Sequence, residues 1–230
     1  MHVWRIPYSA HQGLLAKAAP GTHEAAEEWV ARLPIKKSLL DLGSGTGALL
    51  SRLSALGFKK KLGVEQNPET FQMKSVDVKH WDLNQPFARR MDHQFQCISA
   101  VEIIEHLDSP RAFLQEIYAA LEPGGMAVIS TPNIGHWLSR LQFLFTGVPK
   151  YFTMKDFDEQ RHISPILDHH MEIMTKEIGF TLVEKQSTAS SWGWGIQLLV
   201  APVSLLFWLL GGQKTQGNVN LYLLKKAEQI

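Results

Sequence analysis

"SLLDLGSGTGALLSRL", Ser38 to Leu53, sets Gly43, Gly45 and Gly47 between an apolar run and a helix-like one. A strand that turns at once into a helix needs residues that accept positive φ, and it leaves a backbone that a ligand can approach closely. The spacing also fits the looser dinucleotide-binding turn, with Ala48 in place of the last glycine. Asp41 separates the candidate ligands. Two residues ahead of the first glycine, its carboxylate would repel a pyrophosphate and attract an ammonium or sulfonium group.

Outward from this turn, two kinds of segment alternate. Strand-like runs cover Ser38 to Leu42, Lys61 to Glu65, Val76 to Trp81, Phe95 to Val101, Met126 to Thr131, Thr181 to Gln186 and Val219 to Leu224. Helix-like segments cover His23 to Leu33, Ala48 to Leu56, Pro68 to Lys74, Pro110 to Leu121 and Pro165 to Ile178. This alternation predicts an α/β fold. Ser109 followed by Pro110 reads as an N-cap with a first-turn proline, Gly124 and Gly125 as the end of that helix, and Gly57 and Gly179 as the ends of two others.

The chain has 230 residues, 45% hydrophobic and 20% charged, which suits one globular domain with a substantial core. A formal charge of +1 argues against a nucleic-acid partner held by bulk electrostatics. Cys97 is the only cysteine, so no intrachain disulfide forms, and the N-terminal stretch lacks the apolar core of a secretory signal. Both point to a cytoplasmic setting.

Two further carboxylates stand at strand ends. Glu65 lies about 20 residues beyond the glycines, where it can accept hydrogen bonds from ribose hydroxyls. Asp82 ends the third run with Leu83 beside it, an acceptor for an exocyclic amine next to an apolar wall for a purine. Each alone reads more simply as a turn former or a cap. Together with Asp41 they fit S-adenosylmethionine, which carries a sulfonium, an ammonium and an adenosine.

The series "LLDLGSGTG", "GVEQNP", "HWDLNQPF", "FQCISAVEIIEHL", "LEPGGMAVISTPN" and "NVNLYLLKKA" resembles class I S-adenosylmethionine-dependent methyltransferases, in the branch containing the ubiquinone-pathway O-methyltransferases. The resemblance runs from about Ser38 to Phe180 and resumes at Val219. It implies a Rossmann-like seven-stranded sheet with helices on both faces and a last, antiparallel strand inserted between its neighbours. It implies that Asp41, Gly43, Ser44 and Gly45 border the methionine part of the cofactor, that Glu65 takes the ribose, that Asp82 and Leu83 frame the adenine, and that Val101 and Glu102 lie near the methyl group. S-adenosylhomocysteine is the implied product.

Methyl transfer is an in-line displacement, and an acceptor hydroxyl must also lose its proton. In "EIIEHL", Glu102, Glu105 and His106 stand at i, i+3 and i+4, one face of a helical turn. Three readings stay open for them: anchors for loop backbone, a general base at Glu102 or His106, or, as in some relatives, ligands of a divalent ion completed by His136 or His162. No metal is assigned. His162, in "QRHISP", falls in the segment that by the resemblance lies over the acceptor pocket, and is a second base candidate. Tyr8 to Leu15 covers the cofactor by the same analogy, and His169 with His170 reads as a surface pair.

The expected division of this single domain is an N-terminal helical cap over 1–37, a core over 38–188, an apolar insertion over 189–218 and a final strand with its tail over 219–230. From Gln186 to Gln213 there is no charged residue, and 12 of the 15 residues from Ile196 to Leu210 are apolar. As a helix that core is about 22 Å long, short of the roughly 30 Å hydrocarbon thickness, and Pro202 interrupts it. Two readings stand: packing against the domain or a second subunit, or contact of residues 192–212 with a membrane surface. In the latter case Trp192, Trp194 and Trp208 suit the interface, with Lys150, Lys155, Lys185 and Lys214 available to headgroups. The sequence therefore predicts methyl transfer to a small-molecule or lipid-like acceptor at oxygen, by a cytoplasmic protein with access to membranes. The alternatives are a non-catalytic S-adenosylmethionine-binding partner subunit and a nicotinamide-dependent oxidoreductase. Oligomeric state stays open.

Overall fold

Five consecutive buried residues, Ser38–Leu42, form β3, and a strand buried on both faces must lie inside a sheet. In the computed structural model, which describes residues 10–188, 194–212 and 216–228, with side chains except at 194–199, β3 pairs in parallel with β4 (Lys60–Val64) on one side and β6 (Phe95–Ala100) on the other. β5 (Asp77–Lys79) continues the parallel order beyond β4. β7 (Leu121–Pro132) continues it beyond β6. β9 (Val219–Lys226) runs antiparallel between β7 and β8 (Phe180–Ser187), so the order is β5-β4-β3-β6-β7-β9-β8. The expected Rossmann-like sheet of seven strands, with its last strand antiparallel, is present.

Alternation along the strands divides the core into two layers. Leu39, Cys97, Val128, Leu221 and Leu223 point to the layer that holds Trp29 and Val30 of α1 (Thr22–Ala31) and Leu50 and Leu53 of α2 (Ala48–Ser54). Leu40, Ile98, Ile129, Tyr222 and Leu224 point to the opposite layer, with Phe113, Leu114 and Ile117 of α3 (Pro110–Ala120) and Met171 of α6 (Asp168–Ile178). Helices thus cover both faces.

Several boundaries differ from the sequence reading, each for a local reason. Pro68–Lys74 is one 3-10 turn over Pro68–Thr70, because Phe71 and Met73 pack into the core beside α2 in an extended conformation. Helix α3 ends at Ala120. Gly124 and Gly125 lie instead within the long β7, where the register against β6 shifts. The N-terminal segment is a hairpin, β1 (Ala10–His11) with β2 (Leu14–Leu15), followed by α1 alone. Two helices were not anticipated: α4 (Trp137–Thr146), capped by His136, and α5 (Met154–Gln160), which starts on a capping box of Thr153 and Asp156.

The apolar insertion contains an unbroken 18-residue helix, α7 (Trp194–Gly211), that accommodates Pro202 within it rather than stopping there. No helix among the described residues is long and apolar enough to cross a membrane. Trp192, Lys214 and the side chain of Trp194 lie outside the described residues.

Candidate active site

Parallel strands deliver their C-terminal ends to one rim of the sheet, and there a cavity of about 540 Å³ opens between the β3–α2 turn and the segment after β6. The turn is set by its glycines. Gly43 has φ +71, and a Cβ on it would lie 2.0 Å from Ile103 Cδ1, so glycine is required on two counts. The Gly43 and Ser44 N–H groups donate to the Val64 carbonyl at 2.8 and 2.9 Å, fastening the turn to β4. Gly45 N–H donates to Glu65 Oε2 at 2.8 Å, and Asn67 N–H to Glu65 Oε1 at 3.0 Å. Glu65 therefore bridges the first two strand ends and lines the cavity.

Asp41 is only 2% exposed and also lines the cavity. Its Oδ1 accepts from the Ser99 hydroxyl at 2.6 Å, while Oδ2 has no hydrogen-bond partner among the described residues. Burial pushes its carboxyl up to about 6, against the pull of the Ser99 hydrogen bond. A buried anion with one oxygen unpartnered is a place for a cation. The expected site residues Asp41, Gly43, Ser44, Gly45, Glu65, Val101, Glu102, His106 and His162 all line this one cavity.

Asp82 and Leu83 do not. The Asp82 carboxylate accepts from Asn84 N–H at 2.9 Å, closing a local turn, and Leu83 packs on the core. Asn67 and Thr70 line the cavity beyond Glu65.

The opposite wall begins where β6 ends. Glu102 has φ +58, an unfavourable backbone for a side chain of its size, and is held there by Ser130: its N–H donates to the hydroxyl at 3.0 Å, and the hydroxyl donates to Oε1 at 2.9 Å. Ile104–His106 forms a 3-10 turn rather than an α-helical one. Glu105 is fully buried with neither carboxylate oxygen hydrogen-bonded, and its backbone carbonyl accepts from the N–H groups of Ile163 and Ser164, both at 3.0 Å. Those two bonds draw "QRHISP" onto "EIIEHL". His162 then faces His106, with ring centroids 4.8 Å apart, and its Nδ1 donates to the Tyr151 carbonyl at 2.8 Å.

Burial dominates the titration of this wall. It pushes the Glu102 carboxyl up to about 7, and it raises Glu105 well above the carboxylate range with the Glu102 charge adding to it. It lowers both His106 and His162, so both rings are neutral at pH 7. Ligand atoms of Glu105, His106 and His162 lie within 4.8 Å of one another, close enough to share a divalent cation. This grouping contains Glu105, His106 and His162 of the expected set without Glu102, which is engaged by Ser130, or His136, which caps α4.

The N-terminal segment closes a third side. Leu15, Lys17 and His23 line the cavity, and the Leu15 carbonyl accepts from the Thr46 hydroxyl at 2.8 Å. Burial lowers His23 to about 4. Of the Tyr8 to Leu15 cover expected from the sequence, Tyr8 and Ser9 lie outside the described residues. Sequence reasoning missed Lys17, His23, Ser99 and Ser130. The two serines had a readable signal, since each is a small hydroxyl residue near the C-terminal end of an apolar strand.

Residues 13–185 match the family described as "Methyltransferase domain". The chain belongs to this methyltransferase family. Among curated relatives, the mitochondrial ubiquinone biosynthesis O-methyltransferase of Dictyostelium discoideum is 28% identical over 113 residues, covering 42% of this chain and 35% of that protein. The ubiquinone biosynthesis O-methyltransferase of Psychrobacter arcticus is 25% identical over 157 residues, 63% of this chain and 59% of the other. The chain thus spans less than two thirds of these relatives. A SAM-dependent methyltransferase from Archaeoglobus fulgidus, 16% identical, superposes with a TM-score of 0.63 over 89% of this chain and 94% of its own, a likeness of fold alone. The methyltransferase fold thus accounts for both the glycine turn and the acidic rim, and it is an S-adenosylmethionine-binding fold.

Proposed function

We propose that the chain transfers a methyl group from S-adenosylmethionine to a hydroxyl oxygen of a small-molecule or lipid-like acceptor. The observation that carries this is the cavity's polarity: a buried carboxylate with one unpartnered oxygen, Asp41, at one pole and two neutral imidazoles at the other. The bound cofactor supplies an electrophilic methyl on a sulfonium and leaves as S-adenosylhomocysteine. Asp41 fits its ammonium, since Oδ2 is unsatisfied. The glycine turn fits the backbone approach it needs, because a Cβ at Gly43 would already be in contact with Ile103. Glu65 and Asn67 suit the ribose. Lys17 and His23, on the N-terminal side, suit the cofactor carboxylate.

At the other pole, the protein's part is to orient the acceptor and take its proton. Orientation in a closed site supplies about 7–11 kcal/mol, and a positioned base about 10²–10⁴ in rate. Because His162 Nδ1 donates to Tyr151, its Nε2 carries the lone pair. A neutral imidazole accepts a proton at pH 7; a protonated amine acceptor would need no such arrangement once deprotonated in water.

A second reading of the same pole rests on Glu105. Two buried carboxylate oxygens without hydrogen bonds suit a divalent cation held with His106 and His162, which would lower the pKa of an acceptor hydroxyl by charge rather than by proton abstraction. Turnover with a methyl-labelled donor against catechol-type quinone precursors, with chelator and with added Mg²⁺, tests both. Labelled ether product is expected; activity abolished by chelator and restored by Mg²⁺ selects the cation. Cofactor binding without transfer to any hydroxyl acceptor would leave the non-catalytic subunit as the function.

Two smaller effects follow from the binding pole. Lys17→Ala is expected to weaken cofactor affinity about threefold to tenfold, because Lys17 is exposed and screened; titration calorimetry reads it. Gly43→Ala is expected to cost about 2–3 kcal/mol of folding stability in chemical denaturation, from an unfavourable φ plus the Ile103 contact.

A further inference from the structure

Exposed large apolar side chains gather on two helices that the catalytic reading leaves unused. On α4 and the loop after it, Phe143, Leu144, Phe145 and Val148 are exposed; Phe145 is 81% so. On α7, Leu205, Leu206, Trp208, Leu209 and Leu210 are exposed, Leu210 to 77%. Runs of this kind on water-facing helices mark a surface that meets something apolar. The two helices belong to one region, since Trp137 at the start of α4 packs on Phe207 of α7 with ring centroids 6.4 Å apart.

We propose that the exposed faces of α4 and α7 form one docking surface for an anionic lipid bilayer. Charge selects this occupant. Residues 134–155 and 186–218 carry four basic side chains, Arg140, Lys150, Lys155 and Lys214, and no acidic one; Arg140 and Lys155 are exposed, Lys150 is half-buried with its Nζ donating to the Tyr151 hydroxyl, and of the acids that follow, Asp156 is engaged by the Thr153 cap and Glu159 by Lys155. A face meant for a second copy of this chain has no such reason to exclude acids, whereas a negatively charged headgroup layer does. Topology sets the depth. The chain leaves the sheet at Ser187 and returns at Val219, and Ser187 pairs with Asn220, so both ends of the insertion lie on the same side of any membrane. At 18 residues, about 27 Å long, α7 therefore lies along the interface, where Trp208 suits the headgroup boundary.

Asn133, directly after β7, donates to the Gln216 carbonyl at 2.9 Å, and Ser204 of α7 donates to Gln216 Oε1 at 2.9 Å, tying α7 to the C-terminal end of β7. Helix α5, which follows α4, contributes Glu159 and Gln160 to the cavity wall. A docked molecule would present its acceptor pole toward lipid, but the docking itself does not depend on the chemistry of that pole.

Flotation of the full chain with vesicles tests this. With phosphatidylglycerol-containing vesicles, the wild type is expected to float, at least about tenfold more than with phosphatidylcholine alone, and less at high salt. Leu144→Glu with Phe145→Glu, and separately Leu209→Glu with Leu210→Glu, should each reduce flotation at least about tenfold while thermal unfolding and S-adenosylmethionine binding stay unchanged. Flotation indifferent to both pairs, or none with anionic vesicles, overturns the proposal. So does a concentration-dependent dimer in sedimentation that the same pairs abolish without any lipid present.

Discussion

Replacing His106 and His162 together by alanine should lower methyl turnover about 10²–10⁴-fold while cofactor affinity stays within about twofold of wild type. The expectation rests on geometry. The two rings stand 4.8 Å apart on the wall opposite Asp41, and His162 is oriented by the Tyr151 carbonyl. Neither ring touches the glycine turn in any hydrogen bond, so the loss should fall on kcat. Single replacements discriminate further. Should only one ring take the proton, its removal alone accounts for nearly the whole loss. Should both hold a cation with Glu105, each single replacement also raises the Mg²⁺ concentration needed for half-maximal rate. A thermal transition lowered by many degrees in both single variants, with activity lost in proportion, would instead make the pair structural anchors of the 162–164 segment.

Asp41→Asn is expected to act in opposite directions on binding and on stability. Removing the charge that faces the cofactor ammonium should weaken affinity about a hundredfold, the scale of one charged hydrogen bond in a buried place. Stability should rise at pH 8. The Asp41 carboxyl, pushed up to about 6 from an ordinary 3.8, is harder to ionise in the folded chain than in the unfolded one. Its penalty is therefore absent below about pH 4, grows as pH rises through the interval to 6, and is complete above it. Two units correspond to about 3 kcal/mol. An asparagine amide avoids that penalty but leaves its own N–H groups poorly paired, at about 1–2 kcal/mol. A net gain of about 1 kcal/mol at pH 8, turning into a loss of about 1–2 kcal/mol by pH 4, is expected in urea titrations of the ligand-free protein. For the wild type, cofactor affinity should fall about tenfold per pH unit below 6, as Asp41 gains its proton.

Most of the sheet could be read from the chain because its signals are local. Buried parallel strands are continuous apolar runs, and Ser38–Leu42 was bounded to the residue. Where tertiary packing overrides local pattern, reading failed. Phe71 and Met73 pull the chain extended after Pro68, and Gly124 serves a bent strand rather than a helix end. Helix α4 lacks the one-sided pattern of a core helix because Phe143, Leu144 and Phe145 face outward in succession. The Thr153–Asp156 capping box was legible and passed over.

The binding pole was legible for the same reason as the sheet. Asp41 and Glu65 stand at the ends of neighbouring strands, so sequence position alone brings them to one rim. The reacting pole was not. His162 reaches His106 through backbone bonds to the Glu105 carbonyl and the Ser164 hydroxyl's bond to the Leu107 carbonyl, contacts across nearly sixty residues that no local pattern announces. Asp82 stands three residues beyond the end of β5, where Asn84 N–H donates to its Oδ1, so its position in sequence does not by itself bring it to the cavity.

Titration calorimetry of the wild-type chain with S-adenosylmethionine, S-adenosylhomocysteine and NAD, each at pH 7.5, reads most directly whether the acidic rim is a berth for a cation-bearing nucleoside. Micromolar binding of the first two, with no heat from NAD, is the expected result. Binding of NAD at equal or higher affinity, or affinity for S-adenosylmethionine unaltered by Asp41→Asn, would contradict it.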